Sequence, residues 1–220
     1  MNLQSLVLLF VVLLWQLPAQ QAPGSSAPAA GERIVYQKFF KGSNPEFQEI
    51  TVSRSGAATY KEAADDPNPV AFKVPAAVTD ALFQHAAALG YFQRKLESGL
   101  NIAKMGEKTF RYEGQGGGSQ TYNYSADPDA QKLQEYFEKI GDSQRLFLKL
   151  EYSVKFDRLG INDALVAMED ARSRQRLIGT EHFLPLLDRI VNNKRFMNIA
   201  RNKADYLARY IREANGLNTQ

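Results

Sequence analysis

The chain of 220 residues carries 27 Lys and Arg against 24 Asp and Glu, a net charge of +3, with 44% hydrophobic residues and no cysteine. That length provides one domain with a substantial core or two small lobes, and the missing thiols exclude disulfides, thiolate catalysis, cysteine zinc sites and a lipidated cysteine. The positive excess lies in the C-terminal third: from Gly141 onward 14 Lys and Arg face 10 Asp and Glu, and before it 13 face 14, too slight a surplus for a nucleic-acid binder.

The first charged side chain is Glu32. Before it, Leu6 to Leu17 forms an apolar run of twelve residues, shorter than the roughly 20 needed to span a bilayer. A small-residue zone follows, with Ala19 or Ala22 as cleavage points, so residues 1–22 predict an export signal and 23–32 a flexible linker. Met1 to Ser5 holds no Lys or Arg, and a retained N-terminal anchor is the alternative. Secretion or a periplasmic location is the resulting expectation.

Beyond the tether, Ile34 to Phe40 has strand propensity and ends at the turn cluster Lys41 to Pro45. Ile50 and Val52 alternate at period two, Ser55-Gly56 breaks the run, and Ala58 and Tyr60 resume it, the pattern of a β-hairpin. Val70, Phe72 and Val74 predict another short strand. Pro75 suits the first turn of a helix whose face carries Val78, Leu82, His85, Ala86 and Leu89, with Gly90 as its stop.

Phe110 and Tyr112, then Tyr122 and Tyr124, predict a second pair of strands around a loose tip at Gly114 to Ser119. Asp127 as cap and Pro128 at the first helical position open another helix, with Ala130, Leu133, Phe137 and Ile140 inward and Gly141 as its end. Hairpin, helix, hairpin, helix over 33–141 is a repeat of pattern. It predicts an α+β fold: an antiparallel sheet covered on one face by two helices.

Residues 142–220 predict a helical lobe. Leu146, Leu148, Leu150, Tyr152, Val154 and Phe156 alternate like a strand, yet Leu146, Leu150, Val154, Ile161, Leu165 and Met168 also form a helical seam. An Asp142 or Ser143 cap favours the helix, with Gly160 as a kink. Two further helices are expected over Thr180 to Val191 and Arg195 to Ala214, the second with Phe196, Ile199, Ala200, Leu207 and Tyr210 inward, ending at Gly216.

No standard catalytic pattern accompanies these elements. The two histidines, His85 and His182, are isolated and read as core or capping residues, and neither H-E-x-x-H nor a G-x-S-x-G elbow occurs. The glycine run at Gly114 precedes a strand, so no helix N-terminus is there to hold a pyrophosphate. Asp65-Asp66 reads as turn chemistry rather than a calcium loop. Glu169 and Asp170 are spaced to pair with Arg172 and Arg174, and Arg201, Asp205, Arg209 and Glu213 to neutralise one another. No catalytic residue, metal ligand or cofactor is therefore expected. Arg172, Arg174, Arg176, Lys194 and Arg195 remain as a patch for an anionic surface.

The stretch FFKGSNPEFQEITVSRSGAATYKEA, with LESG at Leu96 to Gly99 and MGEKTFRYEG at Met105 to Gly114, resembles uncharacterised exported proteins of environmental bacteria, acidobacteria in particular. The resemblance implies an exported bacterial protein and carries no activity or site residues. The expectation is a non-catalytic binding or structural module of the bacterial envelope, its partner a protein or an anionic envelope polymer. An envelope-polymer hydrolase is the alternative, which requires two or more of His85, His182, Asp65, Asp66, Glu97 and Glu169 to converge in one open cleft.

Overall fold

The computed structural model describes residues 31–104 and 106–217; the export segment and nearly all of the tether lie outside the described residues. Strands β1 (Arg33–Phe39), β2 (Phe47–Ser53), β3 (Ala57–Lys61) and β4 (Val70–Lys73) form a meander, followed by helix α1 (Ala76–Ala88). The hairpin β5 (Glu107–Glu113) and β6 (Ser119–Tyr122) leads into helix α2 (Pro128–Phe156). The six strands pair antiparallel in the order β4-β3-β2-β1-β5-β6. The expected α+β architecture is thus present, with β5 beside β1 as the one non-consecutive pairing.

Period-two alternation decides which face is covered. Tyr36 stands opposite Ile50 on β2 and Phe110 on β5, and all three are fully buried beneath Leu82, Phe83 and Ala86 of α1 and Leu133, Phe137 and Ile140 of α2. Tyr36 lies 5.2 Å from both Phe110 and Phe137, centroid to centroid, contacts worth about 0.5–1.5 kcal/mol each beyond area burial. The β2–β3 turn needs glycine: Gly56 has φ +82, and a Cβ there would fall 2.7 Å from the Val74 carbonyl.

Helix α2 begins as its sequence predicts, the Asp127 carboxylate accepting from the Asp129 N–H at 2.9 Å with Pro128 beside it. It does not stop at Gly141. That residue is buried where the helix crosses the sheet, and a Cβ on it would lie 3.0 Å from Gln48 Oε1 and 3.4 Å from Ile50 Cδ1. Its small size serves a close approach rather than a helix end. Asp142 and Ser143 consequently lie inside the helix and cap nothing; Ser143 donates to the Lys139 carbonyl at 3.0 Å.

The ambiguous stretch is helical, with Leu150 and Val154 buried and Tyr152 and Phe156 exposed. Gly160 is not a kink: α2 ends at Phe156, and α3 (Gly160–Ser173) starts after the corner Asp157–Leu159. Helices α4 (Leu184–Asn192) and α5 (Asn198–Ala214) complete the lobe. A second apolar core runs from Leu150 through Met168, Phe183 and Leu187 to Leu207 and Ile211, so α2 is shared between both cores. The stripe of α5 is Ala200, Ala204, Leu207, Ala208 and Ile211. Ile199, one step off that stripe, is 60% exposed, which corrects its expected inward position. Tyr210 is only partly buried.

At the sheet edge β6 ends at Tyr122, and Tyr124 lies beyond it, exposed, its hydroxyl accepting from Gln131 at 2.9 Å. The glycine-rich tip is tied down, because the Gly118 N–H donates to the Tyr91 carbonyl at 2.9 Å.

Candidate functional site

Because the corner at Asp157–Leu159 is short, α3 folds back along α2 and leaves a groove of about 310 Å³ between them. Arg145 and Lys149, four apart on α2, project to its rim, and Asp170 and Arg174, four apart on α3, face them. Leu146, Ala167 and Ala171 line the floor. Asp142 lies at the sheet-proximal end: it pairs with Arg145 one turn on and accepts from Arg176 Nε at 2.7 Å. Arg174 Nε donates to Asp170 at 3.1 Å.

The groove therefore sets four cations, Arg145, Lys149, Arg174 and Arg176, around two carboxylates. On the far side of the Asp142–Arg145–Arg176 cluster, a hollow of about 220 Å³ continues between α2 and the β1–β2 loop, where Lys38 and Glu138 add one charge of each sign. An arrangement of this kind, cations over a partly apolar floor, suits an anionic chain more than a compact ion.

The five basic residues expected to form one patch are divided by the fold. Arg174 and Arg176 line the groove. Arg172 does not pair with Glu169; its guanidinium lies 5.1 Å from the Tyr206 ring and 5.2 Å from the Tyr210 ring, while Glu169 pairs with Lys203 of α5. These contacts advance together along α3 and α5, so the two helices run in the same direction. Lys194 and Arg195 precede the first turn of α5 and are exposed. They lie beyond the start of that helix, about 18 Å from Tyr210 at 1.5 Å per residue, and belong to the opposite end of the lobe.

Arg145 and Lys149 escaped sequence reading. Their i, i+4 spacing was visible, but their company with Arg174 and Arg176 depends on α2 passing Gly141 and α3 turning back.

A larger cleft of about 490 Å³ opens at the ends of β1, β5 and β6, lined by Phe39, Phe40, Lys41, Glu97, Lys104 and Tyr122 among others. Glu97 serves there as a backbone clamp: its carboxylate accepts from the Asn123 N–H at 2.6 Å, and such hydrogen bonds hold it below the usual carboxylate range. Lys108 is buried nearby and donates to the Asn123 carbonyl at 2.6 Å, its pKa lowered by desolvation and then by Lys38.

The groups that a hydrolase needs do not meet. His85 Nδ1 lies 2.8 Å from Asp129 at the start of α2. His182 is packed among Phe147, Phe183 and Phe72, with ring centroids 4.4, 5.0 and 5.7 Å away. Asp66 accepts the Asn68 N–H at 2.9 Å within its turn, Asp65 is exposed beside it, and Glu169 is on α3. Of the six candidates Glu97 alone lines the cleft. Among the described residues no three His, Cys, Asp or Glu side chains are grouped to hold a metal ion.

Compared with known proteins, the chain matches no family model and no curated sequence.

Proposed function

We propose that the protein is an exported, non-catalytic binding module of the bacterial envelope that holds an anionic polymer in the groove between α2 and α3. The observation that carries this reading is the grouping of Arg145, Lys149, Arg174 and Arg176 around one apolar-floored groove with only Asp142 and Asp170 to offset them. A polymer with repeated carboxylate or phosphate groups meets several of these cations at once, and its affinity falls with salt because screening acts within about 8 Å at physiological ionic strength. Export is supported by the run Leu6 to Leu17 and the uncharged tether behind it. No helix of the described residues is long and apolar enough to cross a membrane. No cofactor enters this reading. Hydrolysis of the same polymer needs an acid and a base in mutual reach, and the dispersal of His85, His182, Glu97 and Glu169 favours binding alone.

Binding of a polycarboxylate and a polyphosphate to the full chain, measured at low and high salt, tests it. Lys149→Gln with Arg174→Gln removes two groove charges and is expected to weaken binding about tenfold, from about 0.7 kcal/mol per exposed charge. Lys194→Gln with Arg195→Gln leaves it unchanged. Equal binding by the groove variant and the unaltered chain overturns the proposal.

A further inference from the structure

The two most exposed large apolar side chains of the described residues are neighbours: Leu159 at 80% and Phe156 at 74%. Both sit at the corner between α2 and α3, and Tyr152, a turn earlier, places its exposed ring 5.4 Å from that of Phe156. Since α3 and α5 run in the same direction, the start of α5 lies at this end as well and adds exposed Met197 and Ile199. Apolar side chains concentrated at one tip, away from both cores, mark an interaction surface.

Basic residues are interleaved with them. Arg158 lies between Phe156 and Leu159, Lys155 precedes it, and Lys194 and Arg195 lie in the α4–α5 turn. The carboxylates at this end are Glu151, Asp157 and Asp163. Glu151 pairs with Lys155, and Asp157 accepts the Gly160 N–H at 3.0 Å; it and exposed Asp163 stand against Arg158, Lys194 and Arg195, so the tip keeps a net positive charge of one.

We propose that this tip docks on an anionic lipid surface, with Phe156 and Leu159 entering the boundary between headgroups and acyl chains and Arg158, Lys194 and Arg195 meeting the headgroups. Apolar side chains beside basic ones match that interface in depth and in charge. A second copy of the chain fits less well, because a two-fold pairing of the tip sets the same three cations against each other. The orientation follows from α2: from Gly141, where it touches the sheet, to Phe156 is about 22 Å at 1.5 Å per residue. The sheet is held that far from the lipid, with the groove between. The proposal does not depend on the polymer reading.

The absence of cysteine allows a single reporter to be placed in the full chain. Leu159→Cys, labelled with a polarity-sensitive fluorophore, is compared with Gln115→Cys at the exposed β5–β6 tip. Because the apolar segment Leu6 to Leu17 can itself bring the chain to a bilayer, the readout is dehydration of the probe rather than vesicle association. Phosphatidylglycerol vesicles are expected to shift emission at position 159 to the blue, reversibly with salt, and to leave position 115 unchanged. Phosphatidylcholine vesicles are expected to produce a much smaller shift. Arg158→Gln with Lys194→Gln weakens the effect about 30-fold, both residues being exposed and outside the cores. Equal responses at the two positions, or none at 159, overturn the proposal. A shift at 159 that appears without vesicles and grows with protein concentration overturns it in favour of a dimer interface.

Discussion

The Nε of Arg176 donates to the Asp142 carboxylate at 2.7 Å across 34 residues of chain, and this pair ties the segment after α3 to the middle of α2. Ser143 reinforces the tie, its hydroxyl accepting the Ile178 N–H at 2.9 Å and lying 3.2 Å from the Arg176 carbonyl, which shares its one proton with the Lys139 carbonyl.

Asp142→Asn removes the carboxylate that Arg145 and Arg176 share. The pair is partly buried, so a loss of about 1–2 kcal/mol in unfolding free energy is expected by urea denaturation. The same change raises the net positive charge of the groove, and polyanion binding is expected to strengthen. Stability and binding thus move in opposite directions.

Gly141 tests whether close approach, rather than helix termination, explains its size. In Gly141→Ala the gain in helix propensity of about 1 kcal/mol is offset by the contact with Gln48, and stability is expected to change by less than about 0.5 kcal/mol. Gly141→Leu reaches Gln48 and Ile50 and is expected to cost about 2–3 kcal/mol from overpacking. Chemical denaturation of both variants measures the difference.

Arg172 is a packing residue in this structure, its charge placed over Tyr206 and Tyr210. Arg172→Ala is expected to lower stability by about 1 kcal/mol through the lost cation–π contacts and aliphatic packing, with polyanion binding unchanged. A binding defect comparable to that of the groove variant contradicts this assignment.

Burial among phenylalanines holds the His182 pKa down at about 4, against an ordinary 6.5. Neither ring nitrogen makes a hydrogen bond of ordinary geometry, although the Gly179 carbonyl slightly favours the charged ring. Between these two pKa values the unfolded chain binds a proton that the folded chain does not. Stability from this residue is therefore complete above pH 6.5 and is lost as pH falls toward 4, a term on the order of 3 kcal/mol. His182→Phe is expected to flatten this part of the stability–pH curve measured by thermal unfolding.

Local chemistry was legible without coordinates. The alternation through Tyr36, Ile50 and Phe110 marks the covered sheet face, and Asp127-Pro128 marks the start of α2, because each signal involves neighbours within a few residues. At Leu146 to Phe156 strand and helix patterns compete, and the helical seam drawn on to Ile161 and Leu165 crosses the corner after which α3 turns back. Gly141 misleads for a physical reason: a glycine that ends a helix and one that admits a close neighbour look alike along the chain, and only Gln48 and Ile50 separate them. Ile199 misleads by a single step, since the phase of α5 depends on which side α3 and α4 occupy.

The sequence by itself determined the element types, the α+β class and the absence of a standard catalytic motif. Only the tertiary structure decided the company of each charge: Arg145 and Lys149 joining Arg174 and Arg176, Arg172 turning to two tyrosines, and Lys194 and Arg195 going to the opposite end of the lobe. Spacing along a helix specifies neighbours three and four residues apart. Which helix lies across the groove is set by the corner after Phe156 and by the burial of Met168, Leu187 and Leu207 in one core, relationships that no local pattern contains.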